Sequence, residues 1–247
     1  MGPHLIVRVA FALEFVLSGA AIVAGPDRLK RSFQVDYLEL VKADRDLQPP
    51  DVRESVRLQR ESIEKSGAAV RALHTGAPLP AFTLADAYGR AVASDQLVAQ
   101  GPVVVVFYRG SWDKFSLAYL RALQERLPEI EAAGASLVAI SADDVRRTGL
   151  TQHKAAVSFT LLSDPGYEVA RRFGVVYEVP PAADQVMRAH GFDLARYYGT
   201  AAPELPLSAA YVVDRHGTII YASVPSDSYR RADPSEIVAA LTGLRAS

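Results

Sequence analysis

The order of patterned segments predicts an α/β chain folded as a three-layer sandwich around a central mixed β-sheet. Three observations carry this. From Ala77 onward, short apolar runs alternate with longer segments of helical spacing. One run, Val103 to Tyr108, is rich in β-branched residues and unbroken by polar ones, as in a strand buried on both faces. The chain then closes with two strands around Asp214-Arg215-His216-Gly217 and a last helix.

Taken in order, Leu5 to Ala24 is an apolar stretch interrupted by Arg8, Glu14, Ser18 and Gly19. Its length matches a bilayer span. Arg28, Lys30 and Arg31 after it would leave the remainder cytoplasmic. Two charges inside the stretch weigh against a span. Three readings fit: a segment packed on the main domain or a partner, a membrane anchor, or a signal peptide without a clear cleavage site. A short helical pattern follows from Asp36 to Val41, and Pro49-Pro50 ends it. Val52 to Leu73 has the spacing of one charged amphipathic helix, with Val52, Val56, Ile63, Val70 and Leu73 apolar. Gly76 and Pro78 mark its exit. Residues 1–50 are therefore expected to be an extension, and residues 51–247 one domain.

Within that domain Ala81 to Leu84 predicts a strand, and Asp86 to Arg90 a turn. Phe115 to Ala133 predicts a helix with Leu117, Leu120, Leu123, Leu127 and Ile130 on its apolar face and a kink at Pro128. Ser136 to Ser141 predicts a buried strand, Val145 to Ala156 a helix, Phe159 to Leu162 a strand and Tyr167 to Phe173 a short helix. Pro180 to Pro206 is long for a connection and is expected to cap the site; His190 and Tyr197-Tyr198 lie within it. Ala209 to Val213 and Thr218 to Ala222 form the predicted hairpin, and Ser235 to Leu244 the closing helix.

Composition narrows the function. The chain has 247 residues, enough to bury a core. Its formal net charge of -1 leaves no basic excess for a nucleic-acid surface. It contains no cysteine, which rules out disulfides, thiolate metal sites and thiol nucleophiles. His4, His74, His153, His190 and His216 are scattered without metal-ligand spacing, so no metal and no cofactor is expected.

Phe107-Tyr108-Arg109-Gly110-Ser111-Trp112, after the Val103 run, resembles the opening of a "FYRG-x-W-C-P-x-C" signature. Leu161-Leu162-Ser163-Asp164-Pro165-Gly166 is similar to "LLSDPG", and Phe173 to Glu178 to "FGLVYEL". Leu205 to Gly217 resembles "LPxPATFVIDRDG", and Asp227 to Ile237 "DYTRRxEPxEIL". Together these resemble peroxiredoxin-like proteins of the alkyl hydroperoxide reductase / thiol-specific antioxidant family. The resemblance implies a thioredoxin-like fold, with its active site where the helix follows the Val103 strand. By analogy it also implies a homodimer.

Against that pattern, Asp113 stands at the first cysteine position and Ser116 at the second, which lines up with a peroxidatic cysteine. Lys114 replaces the intervening proline, and Ser208 stands where thioredoxin folds carry a cis-proline. Thiol peroxidase chemistry is therefore not expected. The first reading makes the pocket a site that binds a small organic molecule of a specialised pathway and transforms it by non-redox acid/base chemistry, as an isomerisation, cyclisation or dehydration. Asp113 would then be the acid or base, Tyr108 and Arg109 polar anchors, and Trp112 and Phe115 apolar walls, with Lys114 and Ser208 beside them. A helix N-terminus favours carboxylate over neutral acid, which weakens a base placed there. Asp113 also reads as a plain helix N-cap. Ser116 as a nucleophile needs a base in reach, and His153 is the candidate by fold proximity alone. Arg230-Arg231 reads as a solvated pair. The alternative function is a redox-inert binding or scaffold partner, tethered or free.

Overall fold

The computed structural model describes residues 33–246, and the apolar stretch Leu5 to Ala24 lies outside them. Its elements run α1 (Phe33–Leu47), α2 (Pro50–Ser66), α3 (Ala68–Arg71), β1 (Thr83–Asp86), β2 (Ala91–Ala93), α4 (Ser94–Gln100), β3 (Val103–Phe107) and α5 (Lys114–Ala132). They continue through β4 (Ser136–Ser141), α6 (Val145–Ala155), β5 (Thr160–Ser163), α7 (Glu168–Arg172) and β6 (Val176–Glu178). Last come α8 (Pro181–Ala189), α9 (Leu194–Tyr198), β7 (Glu204–Pro206), β8 (Ala210–Val213), β9 (Ile219–Ser223) and α10 (Pro234–Ala246).

Seven strands form one mixed sheet in the order β2-β1-β5-β4-β3-β8-β9, while β6 and β7 pair separately. β3, β4 and β5 are parallel; β8 runs antiparallel to β3, and β1 to β5. The period of two in β3 divides the core. Val103, Val105 and Phe107 pack on one face with α2, α3, α7, α8 and α9. Val104, Val106 and Tyr108 pack on the other with α5, α6 and α10. Helices cover both faces, so the central strand is apolar throughout, and the predicted three layers are present.

The local differences have physical causes. The expected helix Val52 to Leu73 is broken at Gly67, which takes a left-handed φ of 65° and caps α2. Past that break the periodicity changes phase. Val70 is 76% exposed, and the buried face of α2 is Ser55, Gln59 and Ile63. The strand expected at Ala81 to Leu84 begins two residues later and turns into β2 through Asp86, whose carboxylate accepts the Tyr88 and Arg90 N–H groups. Neither β2 nor α4 has a periodic signal of its own. α5 runs unbroken through Pro128. The long segment Pro180 to Pro206 carries α8, α9 and β7.

The turn into β3 is sterically exacting. Gly101 has φ 151°, and a Cβ there would lie 2.3 Å from the Gly134 carbonyl oxygen. Gly101→Ala is expected to destabilise the protein by about 3 kcal/mol, as for a strained backbone position with a backbone clash. Equilibrium urea unfolding checks this: the midpoint should fall with an unchanged slope.

Candidate functional site: a closed centre at the start of α5

β3 delivers the chain to the site. Beyond Phe107 it leaves the sheet: the Tyr108 N–H still bonds Ile140 of β4, and a tight loop through Gly110 leads into α5. Gly110 has φ 147°, and a Cβ there would sit 2.9 Å from Asp143 Oδ1 and 3.0 Å from the Tyr198 hydroxyl. Only glycine lets the loop pass so close to both groups.

Asp113 caps α5. Its Oδ1 accepts the Phe115 N–H at 3.1 Å, and its Oδ2 accepts the Ser116 hydroxyl at 2.7 Å. The Ser116 oxygen in turn accepts the Arg109 N–H at 3.2 Å. Arg231 approaches from the loop before α10, with Nη2 3.7 Å from Asp113 Oδ2 and side chains 1% and 6% exposed. This is a correction: Arg231 is not half of a solvated pair. Its Nη1 also donates to the Ser228 and Arg230 carbonyls, and its guanidinium lies 5.6 Å from the Tyr37 ring centroid. Arg230 alone is exposed. Helix N-terminus, guanidinium and carboxylate thus form one buried ionic unit.

Two segments close over it. α1 lays Tyr37 and Val41 on Phe115, and the Phe115 ring meets Tyr37 at 6.2 Å and Tyr229 at 5.1 Å between centroids. Lys114 points away from the centre and pairs with Asp44 of α1. On the other side the insertion covers the loop, as the sequence led us to expect. Trp112 Nε1–H donates to the Tyr198 hydroxyl at 2.7 Å, which itself donates to the Arg109 carbonyl. Tyr197 and Ser111 hydroxyls are 3.0 Å apart, and Trp112 packs on Phe192 at 4.7 Å.

Of the residues named from sequence, Asp113 and Ser116 meet through their side chains, Arg109 joins them through its backbone N–H, and Phe115 lies beside them, whereas the Tyr108 ring lies toward Asp143 and Thr151. Tyr108 is buried, and burial followed by the nearby Asp143 charge pushes its phenol above the ordinary range. Arg109 turns its guanidinium to the Tyr177 hydroxyl, 3.0 Å from Nη2, and that hydroxyl donates to Gln59 of α2. Ser208 is buried just before Ala209, whose carbonyl accepts the Phe107 N–H. His153 does not join the group: it is exposed in the last turn of α6, whereas Ser116 is fully buried with its hydroxyl bonded to Asp113. No three His, Cys, Asp or Glu side chains among the described residues converge as for a metal.

The residue most clearly missed is Asp143. It is fully buried, and its Oδ2 accepts the Ser111 N–H at 2.8 Å. Burial pushes its carboxyl up to about 6, against the opposing pull of the Ser111 N–H, the Tyr197 hydroxyl and Arg147. One signal was available: Asp143 follows the carboxyl end of β4, beside the end of β3, where open α/β sheets gather their sites.

Breaking a buried pair by removing one partner strands the other charge. Asp113→Ala and Arg231→Met are each expected to cost about 3 kcal/mol. The double variant should cost less than the sum, by about 1 kcal/mol or more. A double-mutant cycle in urea reads this directly, and additive costs would show that the two groups are independent.

A model of the AhpC/TSA family matches residues 75–222. The chloroplastic peroxiredoxin Q of Oryza sativa subsp. japonica is 33% identical over 146 residues, 59% of this chain and 57% of the relative. Peroxiredoxin Bcp of Escherichia coli is 30% identical over 103 residues, 42% of this chain and 65% of the relative. The chain thus spans under two thirds of the length of these relatives. Among solved structures, peroxidoxin BcpB from Mycobacterium tuberculosis superposes with TM-score 0.55 at 22% identity, over 70% of this chain and 99% of that one. Mycobacterium tuberculosis AhpC superposes with TM-score 0.54 at 18% identity, over 70% and 94%. These two establish a shared fold. With the family match covering more than half of its length, the chain belongs to the AhpC/TSA family, as a member without a cysteine.

Proposed function

We propose that this chain is a redox-inert member of its family that works as a binding or scaffold partner, its former thiol centre converted into a structural ion pair. The observation that carries this reading is the burial of the Asp113–Arg231 unit together with Ser116, which is 0% exposed. A peroxidatic centre needs a thiolate that peroxide can reach. Here the position holds a hydroxyl that donates to its own neighbour, and Tyr37, Val41 and Tyr229 surround the helix start. Residues 1–50 would serve as the extension that carries this cover, and residues 51–247 as the thioredoxin-like unit. No described helix is long and apolar enough to cross a membrane, and we place the chain in the cytoplasm. A second copy of the chain is one partner this reading admits.

A second reading keeps the notion of a small-molecule site. It is favoured by the convergence of Arg109, Asp113 and Ser116 within one hydrogen-bonded group. Acid/base turnover there needs α1 to lift and Asp113 to exchange its present partners for substrate. Native mass spectrometry of protein from its own source separates the two readings. A ligand retained by wild type and lost in Asp113→Ala supports the second; a co-purifying chain with an empty centre supports the first.

Wild type is expected to show no peroxide reduction above the protein-free rate. In Ser116→Cys the new thiol would stand beside the Asp113 carboxylate in a buried place, and both effects disfavour thiolate. Its thiol is expected to titrate above the ordinary value of about 8.5. The added change Asp113→Asn should speed its alkylation at neutral pH by about tenfold or more, because a thiol pKa lower by about one raises the thiolate fraction about tenfold. Iodoacetamide kinetics against pH measure this, and rapid peroxide turnover by Ser116→Cys would overturn the closed-centre reading.

A further inference from the structure

Asp143 is fully buried and is bound to the part of the loop that the insertion covers. Among the described residues no Lys or Arg nitrogen lies within 4 Å of it, and its Oδ1 has no hydrogen-bond partner. Its Oδ2 takes the Ser111 N–H at 2.8 Å and faces the Thr151 hydroxyl at 3.4 Å. Ser111 passes the contact to the Tyr197 hydroxyl, and Arg147 pins Tyr197 by donating to its carbonyl at 2.7 Å with the guanidinium 4.1 Å from its ring centroid. Gly110 brings Asp143 and the Tyr198 hydroxyl to the same point of the backbone, and Tyr198 holds Trp112.

We propose that Asp143 is a proton-operated latch, whose ionised carboxylate holds the 109–112 loop against α9 and whose protonation releases that grip. The ionised group is acceptor only, matched to the Ser111 N–H and to the hydroxyls around it. Charge-assisted bonds of this kind are about twice as strong as neutral ones. The neutral acid gives up an acceptor position and gains a donor, so the hydroxyls of Ser111 and Tyr197 must reorient and the α9 contact weakens. The groups facing Asp143 are Arg147 and Asp144 from the start of α6, Tyr197 and Tyr198 from α9, Tyr108 from the end of β3 and Tyr167 before α7. Of these only Arg147 is cationic. Burial therefore dominates and sets the transition near pH 6.

Trp112 is the sole tryptophan of the chain, and it is bonded to Tyr198 and packed on Phe192, so its fluorescence reports the latch. Emission of the full chain followed over about pH 5 to 8 is expected to change with a one-proton midpoint near 6 in wild type and to be flat in D143N. Histidines titrate in the same range. His190 lies two residues from Phe192 and contacts Asp51, so the transition must survive in H190Q. Tyr197 favours the anion, so Y197F, which keeps the carboxyl, should move the midpoint to higher pH. A flat wild-type profile, a transition that persists in D143N or vanishes in H190Q, or an unmoved midpoint in Y197F would each overturn the latch.

Discussion

The Asp113–Arg231 pair is the constraint on which the arrangement of this molecule depends. A helix start and a guanidinium brought together out of water require a negative charge between them. The carboxylate of Asp113 supplies it from within the chain, and the same carboxylate caps α5 and receives the Ser116 hydroxyl. With the charge balanced internally, the centre can be covered by apolar groups. Tyr37, Val41 and Phe115 do so, and Arg231 lies against the Tyr37 ring. A thiolate in this place would have needed an open path for peroxide. A carboxylate needs none, so a centre built on Asp113 is compatible with the cover that Tyr37, Val41 and Phe115 form.

The cover has two halves of different chemistry. On the α1 side it is mainly aromatic and apolar, with the Lys114–Asp44 pair at its rim. On the α9 side it is a chain of hydroxyls, an indole N–H and backbone groups, resting on a single carboxylate. Apolar contact is indifferent to proton activity, whereas a hydroxyl network ordered by a buried acid is not. The two halves therefore respond to different conditions, one lying against the start of α5 and the other against the loop before it.

Much of the fold was legible in the sequence, because its central elements combine strong patterns with burial on both faces. β4 matches the expected Ser136 to Ser141 residue for residue, and β3 ends at Phe107, one residue before the expected Tyr108, whose N–H still bonds the Ile140 carbonyl. What was not legible lacked a pattern. β2 is three residues long, and its pairing is set by the Asp86 turn rather than by alternation. Val70 fits the helical period of Val52 and Ile63, but the left-handed Gly67 rotates it into solvent. At the site, the convergence of Asp113 with Arg109 and Ser116 could be read from their proximity along the chain. Arg231 lies more than a hundred residues from Asp113, and no local pattern tells a buried guanidinium from an exposed one. Only the resemblance of the Asp227 to Ile237 segment tied Arg231 to this fold.

Asp113 and Asp143 show how environment divides one chemistry between two positions. They flank the same loop, both are buried, and both accept a backbone N–H. Asp113 has a nineteen-residue helix beginning at its side and Arg231 3.7 Å away. Its charge is part of the local balance, and neutralising it would leave a guanidinium stranded. Asp143 has hydroxyls, one N–H and a more distant Arg147, too little to offset its loss of water, and its carboxyl is pushed up accordingly. The first carboxylate is thereby fixed as structure, and the second is left free to change its state. If this protein responds to its surroundings through the loop between β3 and α5, the response enters at Asp143, whose carboxylate takes the Ser111 N–H.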